Sequence, residues 1–148
     1  MLTPPPPRRL HARTRGRKIA SLAGPWSGEY GYDVPATRQN VPFNAMLGET
    51  AGELSGVIDE PNTFGDPAAE RLFATIAGRR AGRDVRFTKT YNGAGGVRHS
   101  VEYRGEANAA FTRIDGVWRV SWLHGPFYMT RSVAAVEAAD EGEAEAQG

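Results

Sequence analysis

The chain has 148 residues, no cysteine and a formal net charge of +1, so a single domain is the expected organisation. The lack of cysteine excludes a disulfide framework, a thiolate metal site and a cysteine nucleophile. The near-zero charge gives no global field that would favour nucleic acid or a membrane, and no apolar run approaches the roughly 18 residues that a membrane-spanning helix needs.

Both ends of the chain are predicted to be tails. Residues 8–18 hold six cations, and no apolar stretch typical of a secretory signal accompanies them. We therefore expect residues 1–23 to be a disordered Pro/Arg-rich basic tail of a cytoplasmic protein; a basic arm that contacts phosphate or an acidic partner is the alternative. Residues 133–148 are rich in Ala and Glu, which predicts an acidic tail that forms a frayed helix or no regular structure.

Residues 24–132 show the apolar period of two that is typical of strands. The alternating segments are 26–32, 41–47, 53–60, 84–91, 97–106, 117–123 and 127–131. Residues 66–80 fit a helix with Asp66 as its N-cap or a strand, and we favour a strand from about Arg71 because all its neighbours are strands. The count of eight or nine strands predicts an all-β domain over residues 24–132. Antiparallel strands in that number form an up-and-down barrel or a sandwich, and closure into a barrel removes exposed strand edges.

The turns are predicted from glycine and aspartate. Asp115-Gly116 lies between two strand patterns and is typical of a type I′ hairpin turn. Residues 91–97 form a glycine-rich hairpin loop, and a further turn is expected at Ala81-Gly82. A break is expected at residues 124–127, before the last strand. The alternation in 117–123 places Trp118 and Trp122 together on the inner face.

Two separated features carry a resemblance to a known family. Residues 24–26 read Gly-Pro-Trp at the start of the first strand, and Arg131 lies at the end of the last one. This pair resembles the Gly-x-Trp motif and last-strand arginine of lipocalins and related calycin barrels. The resemblance implies a barrel over about residues 24–132 with the arginine lying across the tryptophan, a stacking worth about 0.5–2 kcal/mol. Trp26 and Arg131 are therefore predicted to be structural.

Several polar side chains fall on strand faces that are predicted to point inward. These positions belong to Tyr30, Glu60, Lys89, Tyr91, His99 and Tyr103. A buried lysine needs a carboxylate or a ligand anion, and a histidine in a cavity titrates near neutrality. The alternatives are that Lys89 extends to the rim and that His99 is hydrogen-bonded within the core.

The segment 58–67 is long for a connection between neighbouring strands, and long loops in compact domains are often functional. We expect Asn62 and Phe64 to lie at the barrel mouth and to contact a ligand. The alternative is a structural turn that is capped by Asn62 and Asp66.

These observations predict a barrel that binds a small, partly polar or anionic organic molecule in its cavity. No cofactor, metal ion or nucleic-acid partner is expected, because the motifs for metal hydrolysis, serine catalysis and phosphate binding are missing from the sequence. One alternative is an enzyme, such as an isomerase, cyclase or hydrolase, that uses Glu60, Lys89 and His99 as acid–base groups. The other alternative is a protein-interaction module. The sequence leaves the oligomeric state open.

Overall fold

The computed structural model describes residues 20–33 and 38–147, so most of the predicted basic tail lies outside the described residues. Eight strands and one C-terminal helix are present. They are β1 (Gly24–Tyr30), β2 (Val41–Thr50), β3 (Glu53–Pro61), β4 (Arg71–Ala81), β5 (Asp84–Tyr91), β6 (Ser100–Ala107), β7 (Arg113–Val120), β8 (Leu123–Thr130) and the helix α1 (Val133–Gln147). A short 3-10 helix, Ala94–Gly96, lies between β5 and β6. No helix in the described part of the chain is long and apolar enough to cross a membrane.

The eight strands form one closed barrel in chain order, and each strand is antiparallel to the next. The barrel closes where β8 pairs with β1, from Ser27 opposite Thr130 to Tyr30 opposite Phe127. The prediction of an all-β, antiparallel up-and-down barrel is confirmed, with the lower of the two expected strand numbers. Buried and exposed residues alternate along each strand. The buried residues form the inner face of the barrel, which is packed with aliphatic and aromatic side chains.

The ambiguous segment 66–80 contains a strand and not a helix. Strand β4 begins at Arg71, and its Leu72, Ala74 and Ile76 are buried while Phe73 between them is exposed. This alternation is the period of two that places successive side chains on opposite faces of a sheet. The prediction of a strand from about Arg71 is confirmed.

The predicted turn at Asp115-Gly116 is wrong. Both residues lie inside β7, where Asp115 pairs with Tyr128 and Gly116 pairs with Phe127 of β8. The turn between β6 and β7 comes earlier, at residues 108–112, and the side chain of Asn108 accepts hydrogen bonds from two backbone N–H groups there. Gly116 has a packing role instead, because a Cβ atom at this position would collide with the backbone of the neighbouring strand β6.

The predicted break at residues 124–127 is also wrong, because these residues lie inside β8. Val120 pairs directly with Leu123, so a two-residue turn at Ser121 and Trp122 joins β7 to β8. Ser121 has the positive φ of 52° that such a tight turn demands. Trp122 is therefore at a hairpin tip and is 83 % exposed. The prediction that it lies on the inner face is wrong. Trp118 is buried, as predicted.

One end of the barrel is closed by a tryptophan and an arginine. The guanidinium carbon of Arg131 lies 4.6 Å from the centre of the Trp26 ring. The guanidinium donates hydrogen bonds to the carbonyl oxygens of Ser21, Ala23 and Phe111. This is the arrangement that the calycin resemblance implies, and it closes the barrel at the end where β1 begins.

Residues on both sides of the predicted domain boundaries pack against this closed end. Ser21 and Leu22 are fully buried, and the Leu22 carbonyl accepts a hydrogen bond of 2.9 Å from the Trp26 indole. The packed part of the chain thus begins before residue 24. The acidic segment from residue 133 forms α1, in which Asp140 accepts a 3.0 Å hydrogen bond from the backbone N–H of Ser21.

Candidate functional site

A buried ion pair lies in the barrel interior. Glu60 on β3 is 0 % exposed and Lys89 on β5 is 1 % exposed, and the Lys89 ammonium donates a hydrogen bond to Glu60 Oε1. The two strands are separated by β4, so the side chains meet across the interior and not as cross-strand neighbours. The lysine therefore has the carboxylate partner that burial demands, and it does not extend to the rim.

Three tyrosines surround this ion pair. The hydroxyl groups of Tyr30 and Tyr91 donate to Glu60 Oε2 at 2.6 and 3.0 Å. The Lys89 ammonium lies 4.9, 4.6 and 5.7 Å from the ring centres of Tyr30, Tyr91 and Tyr103. Burial, reinforced by the negative charge of Glu60, raises the pKa of all three tyrosines. They therefore stay neutral; Tyr30 and Tyr91 act as hydrogen-bond donors, and all three rings act as aromatic walls.

Above the ion pair, a cavity of about 220 Å³ lies at the end of the barrel where β1 finishes. Its wall is mainly aromatic. It is lined by Tyr30, Tyr32, Arg38, Phe64, Tyr91, His99, Val101, Tyr103, Trp118, Val120 and Leu123. The rings of Tyr30, Tyr91 and Tyr103 thus form a boundary between the cavity and the Glu60–Lys89 pair, and neither member of the pair lines the cavity.

His99 lies at the cavity mouth and not in the interior. Strand β6 starts at Ser100, one residue later, so the predicted strand pattern over 97–106 does not extend to His99. The imidazole packs against the rings of Phe64 and Tyr91, with centres 5.9 and 5.0 Å apart. Partial burial, with the nearby Lys89 charge, lowers the pKa of His99. The neutral imidazole is therefore the main form at neutral pH.

Two polar groups lie at different levels of the cavity. The guanidinium of Arg38 lies over the Tyr32 ring, 4.4 Å from its centre, beside the entrance. Tyr103 is 3 % exposed, and its ring stacks on Phe87. Among the residues that the structure describes, none makes a hydrogen bond to the Tyr103 hydroxyl. No buried side-chain nitrogen or oxygen atom in the described residues lacks a hydrogen-bond partner, so the Tyr103 hydroxyl retains some contact with solvent.

The two site residues that were predicted in the loop between β3 and β4 lie in different places, and only one of them lines the cavity. Phe64 lines the cavity, with its ring edge-on to Tyr91 at 5.7 Å. Asn62 does not line it, because its side-chain amide donates to the carbonyls of Asp66 and Ala69 and its oxygen accepts from the N–H groups of Phe64 and Gly65. The structure thus places Asn62 as the brace of a turn, which was the alternative interpretation of this segment.

Of the eight residues predicted to bind a ligand, five line the cavity. Two lie beneath it, and Asn62 lies away from it. The cavity-lining residues that the sequence did not indicate include Tyr32, Arg38 and Trp118. Tyr32 and Trp118 were on the inner faces of predicted strands, so the alternation contained a signal for them. Arg38 follows β1 in a connection without periodicity, and nothing in the sequence marked it.

No cluster of three or more acidic or histidine side chains suited to a metal ion occurs in residues 20–33 and 38–147. Comparison of the chain with protein-family models gives no match, and comparison with curated proteins gives none either.

Proposed function

We propose that the aromatic cavity at the barrel mouth binds a small organic molecule with a planar apolar body and one anionic or hydrogen-bond-accepting group. One observation carries the proposal: six tyrosine, phenylalanine and tryptophan side chains line a cavity of about 220 Å³ that has one guanidinium group, that of Arg38, in its lining. Concave, mainly apolar sites with a few placed polar groups are typical of small-molecule binding. With the tryptophan and arginine at the closed end, this cavity also supports a relationship to calycin barrels.

The cavity volume limits the size of the ligand. About 220 Å³ is below the roughly 300–1,000 Å³ of ordinary ligand pockets. A compound of one ring or two fused rings, lying between Phe64, Tyr91 and Trp118, fits this space. The proposed ligand is therefore smaller than the fatty or isoprenoid molecules that a wider barrel would accommodate.

The charge in the cavity determines how such a ligand is oriented. Lys89 is neutralised by Glu60 and is shielded by tyrosine rings, so it does not attract a ligand anion. The remaining cation of the lining is Arg38 at the entrance. We therefore expect the anionic or accepting group to face Arg38 and the apolar body of the ligand to lie against the aromatic wall.

The enzyme alternative has less support. Acid–base catalysis by Lys89 and His99 requires both groups within reach of one substrate atom. Lys89 is already engaged by Glu60 beneath the tyrosine layer, while His99 lies at the mouth above it. The geometry favours binding over a reaction that uses both groups.

Two measurements test the proposal. Native mass spectrometry of protein purified gently from its own host should reveal a bound small molecule that denaturation releases. Titration with 2-naphthoate should quench the fluorescence of Trp118, whereas the uncharged 2-methylnaphthalene should bind more weakly because it offers no anion to Arg38.

Three variants localise the binding. Arg38→Gln removes the entrance charge and should weaken binding of 2-naphthoate by about tenfold, the equivalent of one charge-assisted hydrogen bond. Tyr103→Phe keeps the aromatic wall and should change this affinity by less than about twofold. Arg71→Gln on the outer wall, where Arg71 pairs with Asp59, is the matched control and should bind as the parent does. A protein that is free of ligand from its host and shows no saturable response to either probe would overturn the proposal.

A further inference from the structure

A second feature lies on the outer wall of the barrel, away from the cavity. Three arginines occupy directly opposed positions on three adjacent strands: Arg79 on β4 faces Arg86 on β5, which faces Arg104 on β6. Like charges directly opposite one another in a sheet are destabilising. The sheet therefore holds a row of positive charge that folding alone disfavours.

This arginine row is only partly neutralised by the protein. Arg79 forms an ion pair of 2.9 Å with Glu53 on β3. Within the described part of the chain, no carboxylate lies within 4.0 Å of Arg86 or Arg104. Glu102 lies opposite Arg119 on β7, and Asp84 and Glu106 are opposed beside the row on β5 and β6. None of these three carboxylates forms an ion pair with Arg86 or Arg104 among the described residues. Two adjacent guanidinium groups thus remain at the centre of the row without an ionic partner.

The arginine row borders a groove of about 530 Å³ across β4 to β7. Its lining includes Ala77, Gly78 and Val117 together with the longer side chains of Arg79, Arg86 and Arg104. Phe87 and Tyr103 also border the groove, but they are buried and their rings stack inside the barrel. The outer groove therefore offers the guanidinium groups of four arginines, with Arg119 as the fourth, one carboxylate, that of Glu102, and no exposed aromatic face.

We propose that this groove binds a compact oligophosphate, a chain of two or three linked phosphate groups, through Arg86 and Arg104. Guanidinium groups bind phosphate oxygens through pairs of parallel N–H donors. Directly opposed residues have Cα atoms about 4.5–5.5 Å apart, which lets two guanidinium groups contact neighbouring phosphates of one chain. Free inorganic oligophosphate and the phosphate chain of a nucleotide share this chemistry.

Two other polyanions fit the groove less well. An acidic peptide that added itself as a strand needs a free sheet edge, and a closed barrel has none. Single-stranded nucleic acid is normally held by stacking of its bases on aromatic side chains as well as by phosphate contacts, and the outer surface of this groove lacks them. The proposal is independent of the ligand proposed for the cavity.

Calorimetric titration with inorganic tripolyphosphate tests the proposal on the full chain, at a fixed ionic strength of about 0.15 M where distant surface charges are largely screened. The variant Arg86→Gln/Arg104→Gln removes the two central charges. The control Arg71→Gln/Arg113→Gln makes the same change in net charge outside the groove, at arginines that pair with Asp59 and Asp115. We expect the groove variant to lose about tenfold or more in affinity and the control to change by less than about twofold.

A second measurement separates binding from folding. The groove variant should unfold at the same temperature as the parent or higher, because it removes two opposed like charges. Nucleoside triphosphate and single-stranded oligothymidylate are titrated in parallel to identify the source of the phosphate. Equal losses in both double variants, the absence of tripolyphosphate binding, or binding of the oligonucleotide without tripolyphosphate would each overturn the proposal.

Discussion

Replacing Lys89 by methionine tests whether the buried ion pair is a coupled unit. At a contact distance of about 3 Å and an effective dielectric constant of about 20, the attraction between the two charges is about 5 kcal/mol. Removal of both charges from water costs several kcal/mol per ion, so the net contribution of the intact pair is small. Loss of one partner is different, because Glu60 at 0 % exposure is left as an uncompensated buried charge. Lys89→Met should therefore lower the free energy of unfolding by about 3–5 kcal/mol.

The double variant Glu60→Gln/Lys89→Met is the decisive comparison. It removes both charges, while the glutamine oxygen still accepts the hydrogen bonds of Tyr30 and Tyr91. It should be more stable than Lys89→Met alone by about 2 kcal/mol or more, since a neutral interior no longer holds an unpaired ion.

Urea denaturation followed by circular dichroism measures these differences. Arg79→Met, which breaks the exposed pair with Glu53, is the control and should cost no more than about 1 kcal/mol. Two results would refute the reasoning. One is a decrease of less than about 1 kcal/mol in the unfolding free energy of Lys89→Met, and the other is a double variant that is less stable than Lys89→Met.

Three further predictions follow from the barrel and its mouth. Trp26→Ala should destabilise the protein by about 3–5 kcal/mol, because it leaves a cavity at the closed end and removes the ring on which Arg131 stacks; a thermal unfolding curve like that of the parent would contradict this role. Gly28→Ala should cost about 1–3 kcal/mol in urea denaturation, because its Cβ would collide with the Tyr128 carbonyl and with the Phe43 ring. The pKa of His99, measured by NMR titration, should lie below the ordinary value of about 6.5. The unfolded chain then binds more protons in the window just below that value, so stability should fall as the pH decreases through it, and His99→Gln should remove this dependence.

The closed barrel was predictable from sequence because its signal is distributed over the whole domain. Each strand repeats the same alternation, and an error at one end of a strand does not change the architecture. The segment 66–80 shows how this works: its own residues fit a helix or a strand, and the surrounding strands decided the matter correctly. Turns, in contrast, are predicted from two or three residues at a time, so one misread motif misplaces the turn. Asp-Gly is a strong turn signal in isolation, yet at Asp115-Gly116 the glycine is needed for close approach of two strands.

The candidate site was predictable where it depends on strand parity. The alternation of apolar and polar positions alone placed Glu60 and Lys89 on the inner face. In the structure, Glu60 is the carboxylate that Lys89 contacts there. The contact between these two side chains spans an intervening strand. It depends on the curvature of the barrel and on the register between strands, and no short stretch of sequence encodes either of these. Arg38 illustrates the other limit, because it lies outside the strands and the alternation that marked the other lining residues does not reach it.

The three layers along the barrel axis assign different roles to its charged groups. Arg131 is held by three backbone carbonyls at the closed end, and Lys89 and Glu60 neutralise each other in the middle. Tyrosine rings cover this pair, so a molecule in the cavity meets neutral hydroxyl groups and aromatic faces. A reaction that used Lys89 as a base or Glu60 as an acid would first require rupture of the pair, at the several kcal/mol that an uncompensated buried charge costs. This cost favours the proposed ligand, held by the shape of the cavity and by Arg38, over a substrate that reacts with the ion pair.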